Sequence, residues 1–362
     1  MVVEQLWQPV PGGSGRYIVE LARELRFVAA RVLGIAAYHG PREPTPPELG
    51  LSVPVVNSRL PRRPLYASWD RLHVPSIDPL VGETDVVHAT TWTIPPTRHP
   101  LLVTVHDVAF LREPEHFTPH GAAYFRRSLD LTRSRADLVV VPSRATALDC
   151  IAAGIREDRV RVIPHGVRCV EVGPALVDSF RAAHGLRRPY VLWVGTREPR
   201  KNLPTLLRAF ASVVASSDLD LVLVGPAGWG DGAEEANLVA CLPAERIHVL
   251  GRLDDDELSA AYAGARVFAF PSLWEGFGLP VLEAMAHGVP VVTSRDTSMA
   301  DITGSDGGLL VEPTDAGELA DALLTAAGGD HDRLAAAGLG RVPDFTWERS
   351  ARAHAEAYRE LA

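Results

Sequence analysis

The sequence predicts an α/β chain made of two doubly wound parallel-sheet domains. Three observations predict it. Short apolar runs rich in β-branched residues end in Gly, Pro or polar residues, amphipathic stretches lie between them, and the whole series runs twice in 362 residues. Buried parallel strands read as continuous apolar runs, and strands alternating with helices argue for a parallel sheet. The length also exceeds what one core usually holds.

The first series covers about residues 1–165, with strand-like runs at 85–88, 101–105 and 138–141. The second begins at Tyr190, with runs at 190–195, 219–225, 247–251, 267–270 and 289–293. Helical stretches include 203–214 and 256–263. Residues 170–189 hold Gly and Pro and no strong strand, so the division expected is an N-terminal domain 1–170, a linker 171–188, a C-terminal domain 189–345 and a final helix within 346–362. The opening is irregular. Only Val2 and Val3 precede Glu4, where a first strand of about five or six residues is usual, so a very short strand or a truncated start is expected.

Hydrophobic residues make up 46% and charged residues 22%, an ordinary globular balance. No apolar run approaches the roughly 20 residues of a membrane span, and Met1-Val2-Val3-Glu4 lacks the pattern of a signal peptide. Cys150, Cys169 and Cys241 form neither a metal spacing nor a disulfide framework, which points to a reducing cytoplasm. Residues 1–181 carry 21 Arg and 19 Asp or Glu, so the net charge of −9 arises in the second half. That mild excess argues against a nucleic-acid partner. The clusters Arg59-Arg62-Arg63 and Arg126-Arg127-Arg133-Arg135 lie among Tyr66, Trp69, Tyr124 and Phe125. They read first as a solvated face, with peripheral contact at the inner face of a membrane as the alternative.

Four loops follow strand-like runs, where open α/β sheets bind ligands. Pro11-Gly12-Gly13-Ser14-Gly15-Arg16-Tyr17 leads to a helix expected near Tyr17; its glycines admit a ligand to the backbone and to a helix N-terminus, but the Gly-x-Gly-x-x-Gly dinucleotide spacing is absent. His106 and Asp107 put an imidazole and a carboxylate at a strand end, suited to substrate positioning or proton handling. Gly195-Thr196-Arg197-Glu198-Pro199-Arg200-Lys201-Asn202 brings three cations ahead of a helix, a match for two phosphates. Of 36 basic residues only Lys201 is a lysine, which suggests a need for a compact point charge. Phe270 to Ala286 holds Glu275, Gly276, Gly278, a helix-starting Pro280 and Glu283. Carboxylates accept vicinal sugar hydroxyls, so the acidic pair beside the basic trio suits a nucleotide diphosphate sugar.

These residues resemble the family 4 retaining glycosyltransferases. Glu275 and Glu283, eight apart within Phe270 to Ala286, are similar to that family's E-x7-E signature. Gly12 to Tyr17, Val105-His106-Asp107, Val141-Pro142-Ser143 and Val162 to Val167 resemble further elements, although many relatives have Asn where His165 stands. Gly195 to Asn202 resembles the version found in mannosyl- and rhamnosyltransferases of surface polysaccharides. The resemblance covers nearly the whole chain. It implies the GT-B fold, two Rossmann-like domains facing across a cleft, with the last helix crossing back to the first domain. By the same resemblance Arg197 and Lys201 neutralise the diphosphate and Glu283 holds the ribose. Glu275 holds the donor sugar and β-phosphate with the backbone of Gly276, Phe277, Gly278 and Leu279, beside Gly195. His106 sits at the reaction centre, and Gly13 approaches the phosphate.

The function expected is hexosyl transfer from a nucleotide diphosphate sugar to a hydroxyl of a glycan, glycolipid or small molecule, with retention. GDP-mannose is favoured over UDP-glucose and dTDP-rhamnose. No metal or other cofactor is expected: Asp218-Leu219-Asp220 leads into a buried strand, and Asp254-Asp255-Asp256 reads as a helix start. A GT-B-fold sugar-nucleotide epimerase and a non-catalytic nucleotide-sugar-binding protein are the alternatives. A dehydrogenase lacks its fingerprint here.

Overall fold

A computed structural model describes residues 1–28, 31–114, 117–228 and 232–362. The chain forms two compact units, one of residues 1–166 with 346–362, the other of residues 167–345.

In the first unit the strands are β1 (Gly34–Ala36), β2 (Val55–Asn57), β3 (Val87–Ala89), β4 (Leu101–Thr104), β5 (Leu138–Val141) and β6 (Val160–Val162). All neighbours pair in parallel, as β1-β2 and as β3-β4-β5-β6. The short opening segment joins the two groups. Val2 makes a one-residue parallel bridge to Ile35, its N–H donates to the His88 carbonyl at 2.9 Å, and Val3 N–H donates to that of Ile35 at 2.9 Å. Residues on alternate sides of β4 and β5 serve two cores. Val103, Val139 and Val141 pack with Leu65, Trp69 and Phe110, while Leu102, Leu138 and Val140 pack with Ala357 of the final helix, Trp347–Leu361. That helix also lies against the first long helix, Gly12–Leu25. The latter begins five residues before the expected Tyr17. The glycine segment is itself the first helical turn, with Gly12 at φ +62° and Gly15 so close to Pro11 that an added Cβ would lie 2.4 Å from that ring.

The second unit carries β7 (Tyr190–Val194), β8 (Asp220–Val224), β9 (Ile247–Gly251), β10 (Val267–Phe270), β11 (Val291–Ser294) and β12 (Leu309–Val311). Their spatial order is β12-β11-β10-β7-β8-β9, parallel throughout. Read from the other edge this is 3-2-1-4-5-6, the doubly wound order of dinucleotide-binding sheets. Strands buried on both faces explain the uninterrupted apolar runs: every residue of β8 and β10 is buried. The segment 171–188, expected as a linker, instead holds the helix Pro174–Ala183. Pro174 suits a helix start, and Phe180 and Leu186 are buried in this unit's core. No described helix is long and apolar enough to cross a membrane.

Candidate active site

In the second unit, β7 and β10 lie side by side although three strands apart in sequence order. Connections leave them in opposite directions, and the crevice at their carboxyl ends is where such sheets bind ligands. Gly195, Arg197 and Lys201 lie on the loop after β7. Glu275 to Gly278 lie on the loop after β10, and Leu279 and Glu283 on the helix Leu279–Ala286 that follows.

The β7 loop is shaped by close backbone approach. Gly195 N–H donates to Val224 O at 2.9 Å. A Cβ on Gly225 would lie 2.0 Å from Gly195 O, and one on Gly228 would lie 1.8 Å from Arg197 O. The chain then makes a 3-10 turn, Pro199–Lys201, and Asn202 takes a left-handed conformation at φ +55°. Asn202 holds the place: its Nδ2 donates to Pro271 O at 3.0 Å and Pro313 O at 2.6 Å, and its Oδ1 accepts from Thr205 at 2.7 Å. One side chain therefore ties the β7 loop to the loops after β10 and β12.

That turn aims two cations at one carboxylate. Glu275, 7% exposed, receives Lys201 Nζ on Oε1 at 2.5 Å and Arg200 on Oε2 at 2.5 Å. Arg200 also pairs with Glu198 at 2.5 Å and donates to Trp274 O at 3.1 Å. Lys201 stands over the Phe270 ring, 4.7 Å from its centroid. Burial alone would raise Glu275, but Arg200 and Lys201 outweigh it and hold the carboxyl at about 2. Burial draws Lys201 downward against the pull of Glu275. Arg197 turns aside to Glu235 at 3.0 Å, because the 3-10 turn separates it from the two residues that face Glu275.

The β10 loop is pinned from β11 onward. Ser298 Oγ lies 2.8 Å from the carbonyl oxygens of both Glu275 and Phe277. Gly278 has φ +113°, and a Cβ there would meet Met299 at 2.7 Å, so this corner requires glycine. Phe277 is buried against Phe345. Glu283 is half-buried, and Tyr262 donates its hydroxyl to Glu283 Oε2 at 2.9 Å. Asp220 lies at the other end of the sheet, first in β8, held by Arg246 at 2.8 Å and His248 at 3.1 Å. Asp254 caps the helix Asp255–Ala263 through Glu257 N at 2.8 Å.

In the first unit, Gly13 is exposed in the first turn of its helix, where backbone N–H groups lack helical partners. Four residues on, the Tyr17 ring meets His106 edge-on at 5.0 Å. His106 follows β4. Thr90 O can only accept, so His106 Nε2 carries the proton that it donates at 2.9 Å. Burial keeps the ring below its usual range, against the pull of Asp107 and Thr90. The neutral Nδ1 then accepts from His165 Nε2–H at 3.3 Å. Both nitrogens of His106 are thus engaged within the unit, which favours positioning over proton handling. Asp107 Oδ1 accepts from Ala109 N–H at 3.0 Å, at the start of the short helix Ala109–Arg112.

Beside His106 runs a buried hydrogen-bond chain whose direction is fixed by one carbonyl. His354 Nδ1–H donates to Ser350 O at 2.8 Å, so its Nε2 accepts from Tyr17 at 2.9 Å. Tyr17 in turn accepts from Thr104 at 2.9 Å, Thr104 from His88 Nε2–H at 2.7 Å, and His88 Nδ1 from Tyr358 at 2.8 Å. Burial lowers both imidazoles, His354 to about 4 and His88 well below its usual range, which keeps the chain neutral. It fastens the final helix to the helix that begins at Gly12.

Known proteins resemble this chain in family and fold. Residues 11–171 match the family described as Glycosyltransferase Family 4, and residues 188–328 match Glycosyl transferases group 1. The D-inositol 3-phosphate glycosyltransferase of Nocardia farcinica is 30% identical over 77% of this chain and 67% of that protein. O-antigen chain mannosyltransferase B of Escherichia coli is 29% identical over 96% of both. The Anabaena protein HepE, solved with UDP and glucose, shares the fold with a TM-score of 0.77 over 99% of this chain and 98% of that one, at 23% identity. The chain belongs to the family 4 glycosyltransferases. It is an enzyme of GT-B fold acting on nucleotide sugars.

Several residues that shape the transferase's site escaped the sequence reading. Arg200 lay in the basic trio but was not separated from Arg197. Glu198 and Glu235, the partners of Arg200 and Arg197, sit two and 38 residues away; only the first is visible in the motif. Tyr262 precedes Glu283 by 21 residues, and no spacing rule joins them. His165 was noted as a departure, and its contact with His106 across 59 residues is what the fold adds.

Proposed function

We propose that this transferase moves mannose from GDP-mannose to a hydroxyl of a glycan or glycolipid acceptor, with retention and without a metal ion. The observation that carries the donor site is the buried Glu275 between Arg200 and Lys201, at the carboxyl ends of β7 and β10. Breaking the anomeric C–O bond leaves charge on the departing diphosphate, and fixed cations at a water-poor site lower that barrier. Lys201 and Arg197 meet the diphosphate, Arg200 orients Glu275 toward the sugar, and Glu283 takes the ribose hydroxyls. His106, fixed by Thr90 and His165, positions the sugar at the reaction centre, and Gly13 offers its N–H to the phosphate. The choice of mannose is supported by the likeness to O-antigen chain mannosyltransferase B, which spans 96% of both proteins.

A thermal-shift screen of GDP, UDP, dTDP and ADP with their sugar conjugates, with and without EDTA, tests this. A ligand that binds only the folded state raises Tm by mass action. The expected result is the largest shift with GDP-mannose, unchanged by EDTA. A larger shift with another base, or a shift lost in EDTA, would overturn the donor or the metal-free reading respectively.

A further inference from the structure

We infer that Tyr262 is the positioning residue for the carboxylate that receives the donor's ribose; this rests on the reading of Glu283 proposed above. The two residues flank one strand. Tyr262 ends the helix Asp255–Ala263 that leads into β10, and Glu283 lies on the helix that follows the loop after β10. Tyr262 is 1% exposed, yet its hydroxyl reaches the half-buried Glu283 Oε2 at 2.9 Å.

The phenol is held on two sides. His287 stacks on it at 5.4 Å and 17°, and Phe268 of β10 packs at 5.5 Å. His287 is itself anchored, its Nδ1–H donating to Glu283 O at 2.8 Å. Ring, imidazole and glutamate backbone thus form one closed arrangement. The only rotor left to the phenol is its O–H, and that points at Oε2. A glutamate side chain on a helix surface otherwise samples several rotamers. A charge-assisted hydrogen bond from a fixed donor selects one of them before the ligand arrives. A carboxylate offers about four acceptor positions, so one phenol does not exclude a diol. Preorganisation of this kind increases affinity by cutting the ordering that binding would otherwise require.

The test is isothermal titration of the full chain with GDP and UDP and with their 2′,3′-dideoxy counterparts, for the wild type, Tyr262→Phe and Glu283→Gln. The expected result is that Tyr262→Phe weakens the ribonucleotide about tenfold and leaves the dideoxynucleotide unchanged. Phenylalanine keeps the ring between His287 and Phe268, and the ratio of the two affinities is read within one variant. Equal weakening of both nucleotides would overturn the inference and make Tyr262 a packing residue. A Tyr262→Phe ribonucleotide affinity equal to that of the wild type would also overturn it. If Glu283→Gln is weakened while Tyr262→Phe is not, the ribose site stands and the positioning role falls. If Glu283→Gln binds like the wild type, the ribose placement falls as well.

Discussion

Replacing Glu275 by Gln keeps the shape of the side chain and removes the charge that Arg200 and Lys201 share. Its carboxyl stands at about 2, against an ordinary value of 4.5. At 1.36 kcal/mol per pKa unit, that separation makes the charged form worth about 3 kcal/mol to the fold. The group is buried, so solvent screening takes little from the figure. The sign follows from a depressed carboxylate. The stabilisation is complete above pH 4.5 and is lost as pH falls toward 2, because the unfolded chain takes up the proton first. Urea unfolding of wild type and Glu275→Gln at pH 7, 5, 4 and 3 reads the difference directly. The expected gap is about 3 kcal/mol at pH 7 and 5, with about 2 kcal/mol of it gone by pH 3. A gap under about 1 kcal/mol at pH 7, or one that stays constant to pH 3, would refute the assignment of both cations to Glu275.

Three further outcomes are expected. Lys201→Ala abolishes donor turnover and also destabilises by about 3 kcal/mol in urea melts, since it leaves the buried Glu275 with Arg200 alone; unchanged stability would mean that Lys201 pairs with nothing in the free enzyme. Gly278→Ala costs about 3 kcal/mol by the same assay, because the new Cβ meets Met299 at 2.7 Å at φ +113°, whereas Gly288→Ala, with positive φ but open space, costs about 1 kcal/mol. His354 is neutral in the fold and drawn down to about 4 by burial, so the unfolded chain binds its proton first and stability falls from pH 6.5 to 4. His354→Gln should flatten that fall by about 3 kcal/mol, and an unaltered pH dependence would show that the imidazole is not held neutral.

Long apolar strands were legible because both faces are covered. The runs at 138–141 and 267–270 coincide with β5 and β10, in which every residue is buried. The strands that were missed are three residues long: Gly34–Ala36, Val55–Asn57, Val160–Val162 and Leu309–Val311. Gly34–Ala36 and Val55–Asn57 pair with each other, and Val160–Val162 and Leu309–Val311 pair with β5 and β11 at sheet edges, so tertiary pairing rather than run length makes them strands. The helix at Gly12 was misplaced for a related reason. Glycine disfavours a helix interior, but at the start of one it permits the left-handed entry at Gly12 and the approach to Pro11 that fix the turn.

The site was legible as a set of charges and illegible as a set of pairs. Sequence spacing brought Arg197, Arg200, Lys201 and Glu275 to two loops at one sheet edge, because strand ends are local features. Which cation meets the carboxylate depends on a 3-10 turn closed by a left-handed Asn202, and that conformation is fixed by carbonyls of Pro271 and Pro313, 69 and 111 residues away. The lone lysine shows both halves of the lesson. Its rarity marked position 201, yet its reason is steric as much as electrostatic. Lys201 is 9% exposed, its Nζ lies between the Phe270 ring and Glu275, and its stem lies 3.8 Å from where a Cβ on Gly195 would stand. A planar guanidinium needs a wider slot and more acceptors than Glu275 has left once Arg200 has taken Oε2. The position therefore suits an ammonium, and Lys201→Arg is expected to lower stability in urea melts, whereas stability equal to the wild type would show that the slot admits a guanidinium.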